Sequence, residues 1–387
     1  MSDRYPPPMG APPTPPPQPP PAPPPPPGPS RPPSAALVDL KRYWPVIAGI
    51  LAFALVLFLL WVIFSDDDSG STAAAPTCSG ISVAQDVLPS VVTIKSNGGA
   101  GAGTGSGEFI DNKGDVLTNN HVISNSANGG TIIIILSNGD VAPATIVGRD
   151  ILTDLAVLRA DVTPAQSRPI HFDTSGNVLV GQQVFPVGAP LGLSDTVSTG
   201  IVSNTGRTVR VPADNGRTAL LVSALQTDAS INPGNSGGTL ANCNGDLVGV
   251  PTVGATATDS VGGQVGGSIG LGFAISANTA QTVANELLAH GRVTTHSYLG
   301  VSVATVSSSP TGPWGLYVTA VSAASPARQA GMRTSDVITE INGAPVRSAD
   351  DLETMSLTNK PGDKVVLTYK RDGKAATVTV TLAEQAP

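Results

Sequence analysis

Residues 227–238 read Thr-Asp-Ala-Ser-Ile-Asn-Pro-Gly-Asn-Ser-Gly-Gly, and this stretch places one serine, Ser236, among glycines. Glycine permits a tight turn and lets a substrate backbone approach closely. The backbone N–H groups of Gly234 and Ser236, with Asn235 between them, can point at one spot and hold an oxyanion. The stretch therefore indicates a nucleophilic serine on a turn, with the N–H groups of Gly234 and Ser236 as oxyanion donors.

A nucleophilic serine needs a base, and the base needs a carboxylate that orients it. Of the four histidines, His121 follows an apolar strand at 116–118 and is the preferred base. The other three are expected to be exposed polar residues: His171, His290 and His296. Asp154 directly precedes the apolar run 155–158. Spacing alone leaves two roles open for it, a solvent-facing strand end or a buried orienting carboxylate.

The chain from 81 to 276 consists of short apolar runs separated by turn residues. Asn138-Gly139 is a strong hairpin signal within it. No long amphipathic helix interrupts the pattern before a helix expected at 278–289, which ends at Gly291. This pattern favours a β-barrel or sandwich over a fold of alternating strands and helices. A second unit follows at 297–385, with five expected strands (300–306, 315–321, 337–341, 364–370 and 376–382) and two expected helices (326–330 and 349–357).

The N-terminal part reads as a tail and an anchor. Of the 36 prolines in the chain, 19 lie in the first 33 residues, so residues 1–45 are expected to be a disordered cytoplasmic tail. Residues 46–64 form an uncharged apolar run of about 28 Å as a helix, close to the ~30 Å membrane core. Lys41 and Arg42 precede this run, which predicts a single-pass helix with everything after it outside the membrane. A cleaved signal peptide is the alternative, but its apolar region is usually shorter.

The segment 65–80 is expected to be a linker into the extracytoplasmic part. The only two cysteines, Cys78 and Cys243, fall on that oxidising side, where a disulfide is possible but cannot be deduced from sequence. The net charge of −7 argues against a nucleic-acid partner. No metal and no other cofactor is expected.

Three blocks in the order His, Asp, Ser resemble the catalytic blocks of HtrA/DegP-type serine proteases: residues 117–122, 153–158 and 227–238. The similarity covers most of 81–385. It implies a mainly β fold, in which a trypsin-like double β-barrel at 81–290 is followed by an α+β PDZ domain at 297–385. It also implies His121 as general base, Asp154 as its orienting partner and Ser236 as nucleophile, with Gly234, Asn235 and Ser236 as the oxyanion-hole backbone. By the same resemblance, loops at 191–199, 205–219 and 251–267 switch activity, and the chain forms a homotrimer.

Several positions depart from the family pattern: Glu108 replaces an apolar residue, Pro251 an asparagine and Ser276 a proline. These departures put the cleavage preference in doubt. Ser230, six residues before the nucleophile, agrees with the family's preference for small aliphatic residues before the scissile bond.

The second unit resembles a PDZ domain. Residues 298–301, Tyr298, Leu299, Gly300 and Val301, are similar to its carboxylate-binding loop. A PDZ groove binds a peptide as an added strand and captures its C-terminal carboxylate on backbone N–H groups. The resemblance therefore implies peptide C-termini and unfolded or misfolded proteins as partners, in envelope stress and quality control.

Two other functions are compatible with parts of the sequence. Residues 234–238 also satisfy the Gly-x-Ser-x-Gly pattern of α/β hydrolases, but that fold requires strand–helix alternation and the order Ser, Asp, His. The second is a binding protein with an inactive protease domain, and the intact His121, Asp154 and Ser236 argue against it.

Overall fold

The computed structural model describes residues 44–65, 78–99, 101–189, 195–214, 218–254, 268–307 and 314–385. The proline-rich tail up to residue 43 and the linker residues 66–77 lie outside the described residues, as do 191–194, 215–217 and 255–267 of the three predicted switching loops.

Helix α1 (Trp44–Ser65) forms the N-terminal unit and contains no charged residue. Side chains 48–59 within it are exposed. In the part of the chain that the structure describes, no helix is long and apolar enough to cross a membrane. The transmembrane helix at 46–64 therefore stays a prediction.

Two antiparallel β-barrels follow in the second unit, as the sequence predicts. The first closes in the order β1-β2-β3-β6-β5-β4. Its strands are β1 (Val91–Gly98), β2 (Gly101–Phe109), β3 (Asp115–Asn119), β4 (Gly130–Ile135), β5 (Val141–Asp150) and β6 (Leu155–Ala160).

The second barrel runs in the order β11-β12-β13-β10-β9-β7, closes through pairing of β7 with β11, and has β8 added beside β7. Its strands are β7 (Gln183–Gly188), β8 (Thr196–Val197), β9 (Gly200–Pro212), β10 (Thr218–Thr227), β11 (Thr239–Ala241), β12 (Leu247–Gly254) and β13 (Gly272–Ser276).

Among the described residues, three α-helices accompany the barrels: α2 (Gly80–Val87), α3 (Asn120–Ile123) and α4 (Ala277–His290). The predicted helix at 278–289 is confirmed as α4, and the left-handed Gly291 (φ 68°) ends it. Helices α2 and α3 were not predicted, because eight and four residues are too few to establish a helical period.

One apolar core crosses the seam between the barrels. Leu117 and Leu155 of the first barrel pack in the same cluster as Val187 and Val250 of the second. A disulfide joins Cys78, which precedes α2, to Cys243 in the second barrel, and the Cα atoms of the two cysteines lie 5.1 Å apart. A bond that closes so long a loop stabilises the fold by up to about 5 kcal/mol in the chain-entropy model.

The second unit also contains an α+β domain with its own core. Its main sheet has the order β15-β16-β17-β19-β20, and β14 pairs with β21. The elements are β14 (Ser297–Tyr298), β15 (Val301–Ser307), β16 (Trp314–Val321), α5 (Pro326–Gln329), β17 (Val337–Ile341), β18 (Ala344–Pro345), α6 (Ala349–Thr358), β19 (Lys364–Arg371), β20 (Lys374–Thr381) and β21 (Ala383–Glu384). The five strands and two helices expected from the sequence are all present within a few residues.

Candidate active site

The structure brings His121 and Asp154 into direct contact at one end of the first barrel. His121 Nδ1 lies 2.7 Å from Asp154 Oδ2, and the backbone N–H of His121 donates to Oδ1 at 2.9 Å. Asp154 is completely buried, whereas about a third of the His121 side chain is exposed. The choice that the sequence left open is thereby settled in favour of a buried carboxylate that orients the imidazole.

Local pairing explains this arrangement. Strands β3 and β6 are neighbours, and the end of β3 at Asn119 pairs with Leu155 at the start of β6. The Asp154 carbonyl oxygen accepts hydrogen bonds from the Asn119 side chain (2.8 Å) and the Asn120 N–H (3.0 Å). These bonds hold Asp154 at φ 58°, a left-handed conformation that costs energy for a residue other than glycine.

Ser236 belongs to the second barrel, where it lies between β10 and β11 at the seam with the first barrel. Its carbonyl oxygen accepts a hydrogen bond from the Ser106 N–H of β2 at 2.9 Å. The next residue, Gly237, has φ 81°, and a Cβ there would lie 2.3 Å from Thr118 Oγ1 and 2.4 Å from the Ser106 carbonyl oxygen. Only glycine fits at this position, because the nucleophile turn is pressed against the first barrel.

Thr252, which the sequence reasoning missed, links the three predicted residues. Its hydroxyl donates to Asp154 Oδ2 at 2.6 Å, and its carbonyl oxygen accepts from Ser236 Oγ at 3.0 Å. Thr252 is 3% exposed and lies in β12. The available signal was a threonine following the apolar run 247–251 on the strand after the nucleophile. That position alone does not distinguish Thr252 from an ordinary strand threonine, because its partner Asp154 lies 98 residues away.

The serine hydroxyl is in a resting orientation. Its hydrogen bond goes to Thr252, and among the described hydrogen bonds none joins Ser236 Oγ to His121. Transfer of its proton to the imidazole therefore requires the Ser236 side chain to rotate away from the Thr252 carbonyl group. Catalytic hydrogen bonds are often long or misaligned in unliganded sites and tighten when substrate binds.

The electrostatic surroundings favour the protonated form of His121. Burial lowers the pKa of the imidazole, but the hydrogen bond and charge of Asp154 and the charge of Asp214 outweigh it, so the pKa of His121 is raised above its usual value. Asp214 belongs to the end of the β9–β10 hairpin and accepts hydrogen bonds from Asn120 (2.9 Å) and Arg149 (2.7 Å). Asn120, which directly precedes His121, is thus hydrogen-bonded to the second barrel.

The predicted oxyanion-hole residues lie beside the nucleophile, but not all three N–H groups are available. Asn235 N–H donates to the Asn232 carbonyl at 3.0 Å, and the Gly234 carbonyl accepts from Ser106 Oγ at 2.6 Å. Among the described backbone hydrogen bonds, neither Gly234 N–H nor Ser236 N–H has an acceptor. These two donors remain available for an oxyanion.

The remaining histidines do not converge on this site. His171, bonded through Nδ1 to Asp246 at 2.8 Å, and His290 are exposed as expected. The expectation was wrong for His296, which is 8% exposed and bonded to Asp150 at 2.7 Å. In sequence it stands in a polar linker, so its buried partner 146 residues away was not visible. Within the described residues, no group of three or more potential ligands could hold a metal ion.

Glu108 is a buried carboxyl group at the seam. It is fully buried, and within the described residues neither of its oxygens has a hydrogen-bond partner. Burial raises the pKa of Glu108 well above its usual range, and the nearby Thr239 hydroxyl lowers it only in part. Glu108 has a pKa of about 4.5 in the unfolded chain and a higher pKa in the folded chain. The free energy of unfolding therefore falls as pH rises from the unfolded to the folded pKa.

Glu108→Met is therefore expected to stabilise the protein at alkaline pH. Methionine fills a similar volume without an ionisable group, and removing a buried group that lacks a partner is worth roughly 1–3 kcal/mol. Urea unfolding of the full-length chain measures the gain, which should be larger at pH 8.5 than at pH 5. If the free energy of unfolding does not increase, or increases equally at pH 5 and pH 8.5, the buried Glu108 carboxyl does not destabilise the protein by its ionisation.

The predicted carboxylate-binding loop lines a cavity of about 320 Å³ between β14, β15 and α6. The carbonyl oxygens of Leu299 and Gly300 accept from Ala327 and Ser322 at 3.0 Å. In a trans peptide unit the N–H points opposite to the carbonyl, so the N–H groups of Gly300 and Val301 point away from these two bonds. Gly300 has φ 84°, and a Cβ there would meet Ser325 Cβ at 2.1 Å. Tyr298 and Val301 also line the cavity.

Known proteins share both parts of this architecture. The trypsin-like peptidase domain family matches residues 105–250, and the PDZ domain family matches residues 297–382. Serine protease PepD of Mycobacterium tuberculosis is 38% identical over 320 residues, which cover 81% of this chain and 68% of PepD. The Do-like serine protease HtrB of Bacillus subtilis is 32% identical over 391 residues, which cover 88% of this chain and 82% of HtrB.

Solved structures agree with these sequence relatives. The serine endoprotease from Yersinia pestis superposes with a TM-score of 0.59 at 32% identity, over 81% of this chain and 100% of the other. The HtrA-type protease AlgW with tripeptide gives a TM-score of 0.61 at 30% identity, over 80% and 98%. Because the chain is more than 30% identical to these curated relatives over more than two thirds of their length, it belongs to the HtrA/Do family of trypsin-like serine proteases that carry a PDZ domain.

Proposed function

We propose that the chain is a membrane-anchored serine endopeptidase that degrades unfolded, misfolded or PDZ-docked proteins outside the cytoplasm, in envelope stress and quality control. The observation that carries the endopeptidase part is the hydrogen-bonded series Ser236–Thr252–Asp154–His121 at the seam of the two barrels. A binding protein without catalytic function has no need for a buried carboxylate held at φ 58° against an imidazole.

The geometry supports acyl-enzyme hydrolysis. Ser236 Oγ, after turning from Thr252, attacks the substrate carbonyl carbon while His121 Nε2 accepts the hydroxyl proton. The N–H groups of Gly234 and Ser236 stabilise the oxyanion. His121 then gives the proton to the leaving amine, and water repeats the sequence to release the acid. Asp154 fixes the imidazole tautomer by accepting from Nδ1–H.

The cavity beside residues 298–301 supports peptide C-termini as ligands. It combines backbone N–H groups of the loop with apolar side chains of Leu299 and of Leu352 on α6. A free carboxylate at the end of an extended peptide fits this combination of groups. Calorimetry should therefore detect binding of a peptide that has a free C-terminal carboxylate, and no binding of the same peptide when its C-terminus is amidated.

The location rests on the N-terminal sequence and on the disulfide. Lys41 and Arg42 precede the apolar run 46–64, which favours an anchor with the N-terminus inside. A disulfide such as Cys78–Cys243 persists in oxidising compartments. In intact cells, added protease should digest the part after residue 65 and leave residues 1–45 protected; the reverse pattern would contradict the proposal. The homotrimer is likewise proposed, and light scattering of the detergent-purified chain should give three times the monomer mass.

The direct test of the proposed activity uses the full-length chain purified in detergent. Reduced casein, which lacks a stable fold, should be cleaved into peptides, whereas a tightly folded protein should resist. Prior treatment with an organofluorophosphate should stop cleavage by modifying the nucleophile. If the chain binds free peptide C-termini but leaves casein intact, it is a binding protein and the proposal fails.

Thr252→Val should weaken catalysis while retaining the shape of the side chain. The variant removes the hydroxyl that donates to Asp154 Oδ2, a bond to a charged group worth roughly 1.5–3 kcal/mol. We expect kcat/KM for casein-derived peptides to fall roughly 10- to 100-fold. Thr282→Val, which removes an exposed hydroxyl on α4, is the matched control and should leave kcat/KM unchanged. Equal activity of both variants would remove Thr252 from the mechanism.

A further inference from the structure

His296 connects the segment before the PDZ loop with the first barrel. Its side chain is about 10% exposed, and its Nε2 lies 2.7 Å from Asp150 Oδ2 at the end of β5. It directly precedes β14, and its carbonyl oxygen accepts from Gln385 N–H at 3.0 Å. A buried histidine bonded to a buried carboxylate 146 residues away is a specific contact between two distant parts of the chain.

Asp150 organises the turn that leads to the catalytic carboxylate. Its Oδ2 accepts from Thr153 Oγ1 at 2.5 Å and from Thr153 N–H at 3.2 Å, and its Oδ1 accepts from Leu152 N–H at 3.3 Å. Burial raises the pKa of Asp150, but the hydrogen bond and charge of His296 and the bonds from the turn outweigh it, so the pKa of Asp150 is lowered. The carboxylate thus binds His296 and the turn at the same time.

The turn ends at Asp154, whose left-handed backbone is held by its neighbours. Thr153, the residue before it, is fixed by Asp150 through both its side chain and its N–H. Strained conformations persist only where the surrounding structure determines them. Loss of one partner of Asp150 leaves the buried carboxylate with fewer donors and frees it to move, and Thr153 with it.

The segment that carries His296 is also hydrogen-bonded to helix α4. Two residues earlier, Thr294 donates to Glu286 Oε2 of α4 through its N–H (2.8 Å) and its hydroxyl (2.6 Å). Asp150 and Glu286 both interact electrostatically with His296. The bonds of Thr294 to α4 and of His296 to Asp150 thus place this segment between α4 and β5.

We propose that His296 is a positioning residue for the hydrolytic reaction: through Asp150 and Thr153 it holds Asp154 in the conformation that orients His121. His296 contacts neither substrate nor the reacting atoms, so its contribution is to the geometry of the triad. The inference rests on the proposed role of Asp154 as the orienting carboxylate.

The test compares His296→Ala and His296→Gln in the full-length chain purified in detergent. Displacement of a catalytic group by about 1 Å can cost on the order of 10² in rate. For His296→Ala we expect kcat to fall roughly 10- to 100-fold with KM unchanged. The acidic limb of kcat/KM, which reports the base of the free enzyme, should move to lower pH because a displaced Asp154 no longer raises the pKa of His121 as much. Glutamine places an N–H donor where Nε2 stood and should restore most of kcat.

Two controls separate the possible outcomes. His171→Ala removes a histidine with a similar bond to an aspartate, but at an exposed place, and should leave kcat and the pH profile unchanged. Ser236→Ala, measured in parallel, tests the proposed function: if it stays active, the triad assignment fails irrespective of His296. If Ser236→Ala is inactive and His296→Ala keeps the wild-type kcat and pH limb, or if glutamine restores nothing, only the positioning role is overturned.

Discussion

Ser236→Ala is expected to lower kcat/KM for peptide hydrolysis by at least about 10³-fold, and by up to about 10⁶-fold if the triad acts as one unit. The acyl-enzyme bond is formed by Ser236 Oγ, so without this oxygen His121 and Asp154 have no nucleophile to activate. Folding should be little affected, since the lost bond to the Thr252 carbonyl is worth about 1 kcal/mol. Initial rates on a fluorogenic peptide and the unfolding midpoint together measure both effects.

The matched control for this variant is Ser175→Ala. Ser175 is exposed on a loop of the second barrel and accepts a hydrogen bond from the Asn177 N–H. Its loss should leave the rate at the wild-type value. A Ser236→Ala protein that keeps more than a small fraction of the wild-type rate would require another nucleophile and would contradict the assignment.

Asp154→Asn is expected to lower kcat/KM by about 10⁴-fold with little change in KM. An amide occupies the same space, but its NH₂ group cannot accept the Nδ1–H of His121. The imidazole then carries its proton on the wrong nitrogen and cannot take one from Ser236. Because the hydrogen bond and charge of Asp154 help to raise the pKa of His121, that pKa should also fall, and the NMR titration of the imidazole measures the fall.

Asp246→Asn provides the comparison. Asp246 holds His171 through the same Nδ1-to-carboxylate contact at 2.8 Å, but at the surface and away from Ser236. Its conversion should change neither rate nor KM. If Asp154→Asn loses less than about tenfold in kcat/KM, the buried carboxylate does not fix the tautomer and the proposed mechanism is wrong.

The catalytic residues could be named from the sequence because they lie in three short blocks that resemble those of HtrA/DegP-type proteases. Ser236 stands among glycines that its turn requires, and Asp154 directly precedes a buried strand. Each pattern reflects a backbone constraint within a few residues. The barrel and PDZ strands were predictable for the same reason, since alternation and turn residues are local properties.

The supporting residues were not predictable, because each depends on contacts between distant segments. Thr252 lies 98 residues from Asp154, and His296 lies 146 residues from Asp150, so neither looks different from an ordinary polar residue. Asn235 was expected in the oxyanion hole, yet its N–H closes a turn with Asn232. Which of three neighbouring N–H groups stays free is decided by turn geometry that the residue types alone do not determine.

The central claim is that His121, held by Asp154, activates Ser236, and the most direct measurement is the rate at which a fluorophosphonate modifies the full-length chain. Peptide mass mapping should place a single modification on Ser236. Its rate should rise with pH as the imidazole loses its proton, and His121→Ala should remove the reaction. Modification of a different serine, or modification of Ser236 at the same rate without His121, would contradict the account.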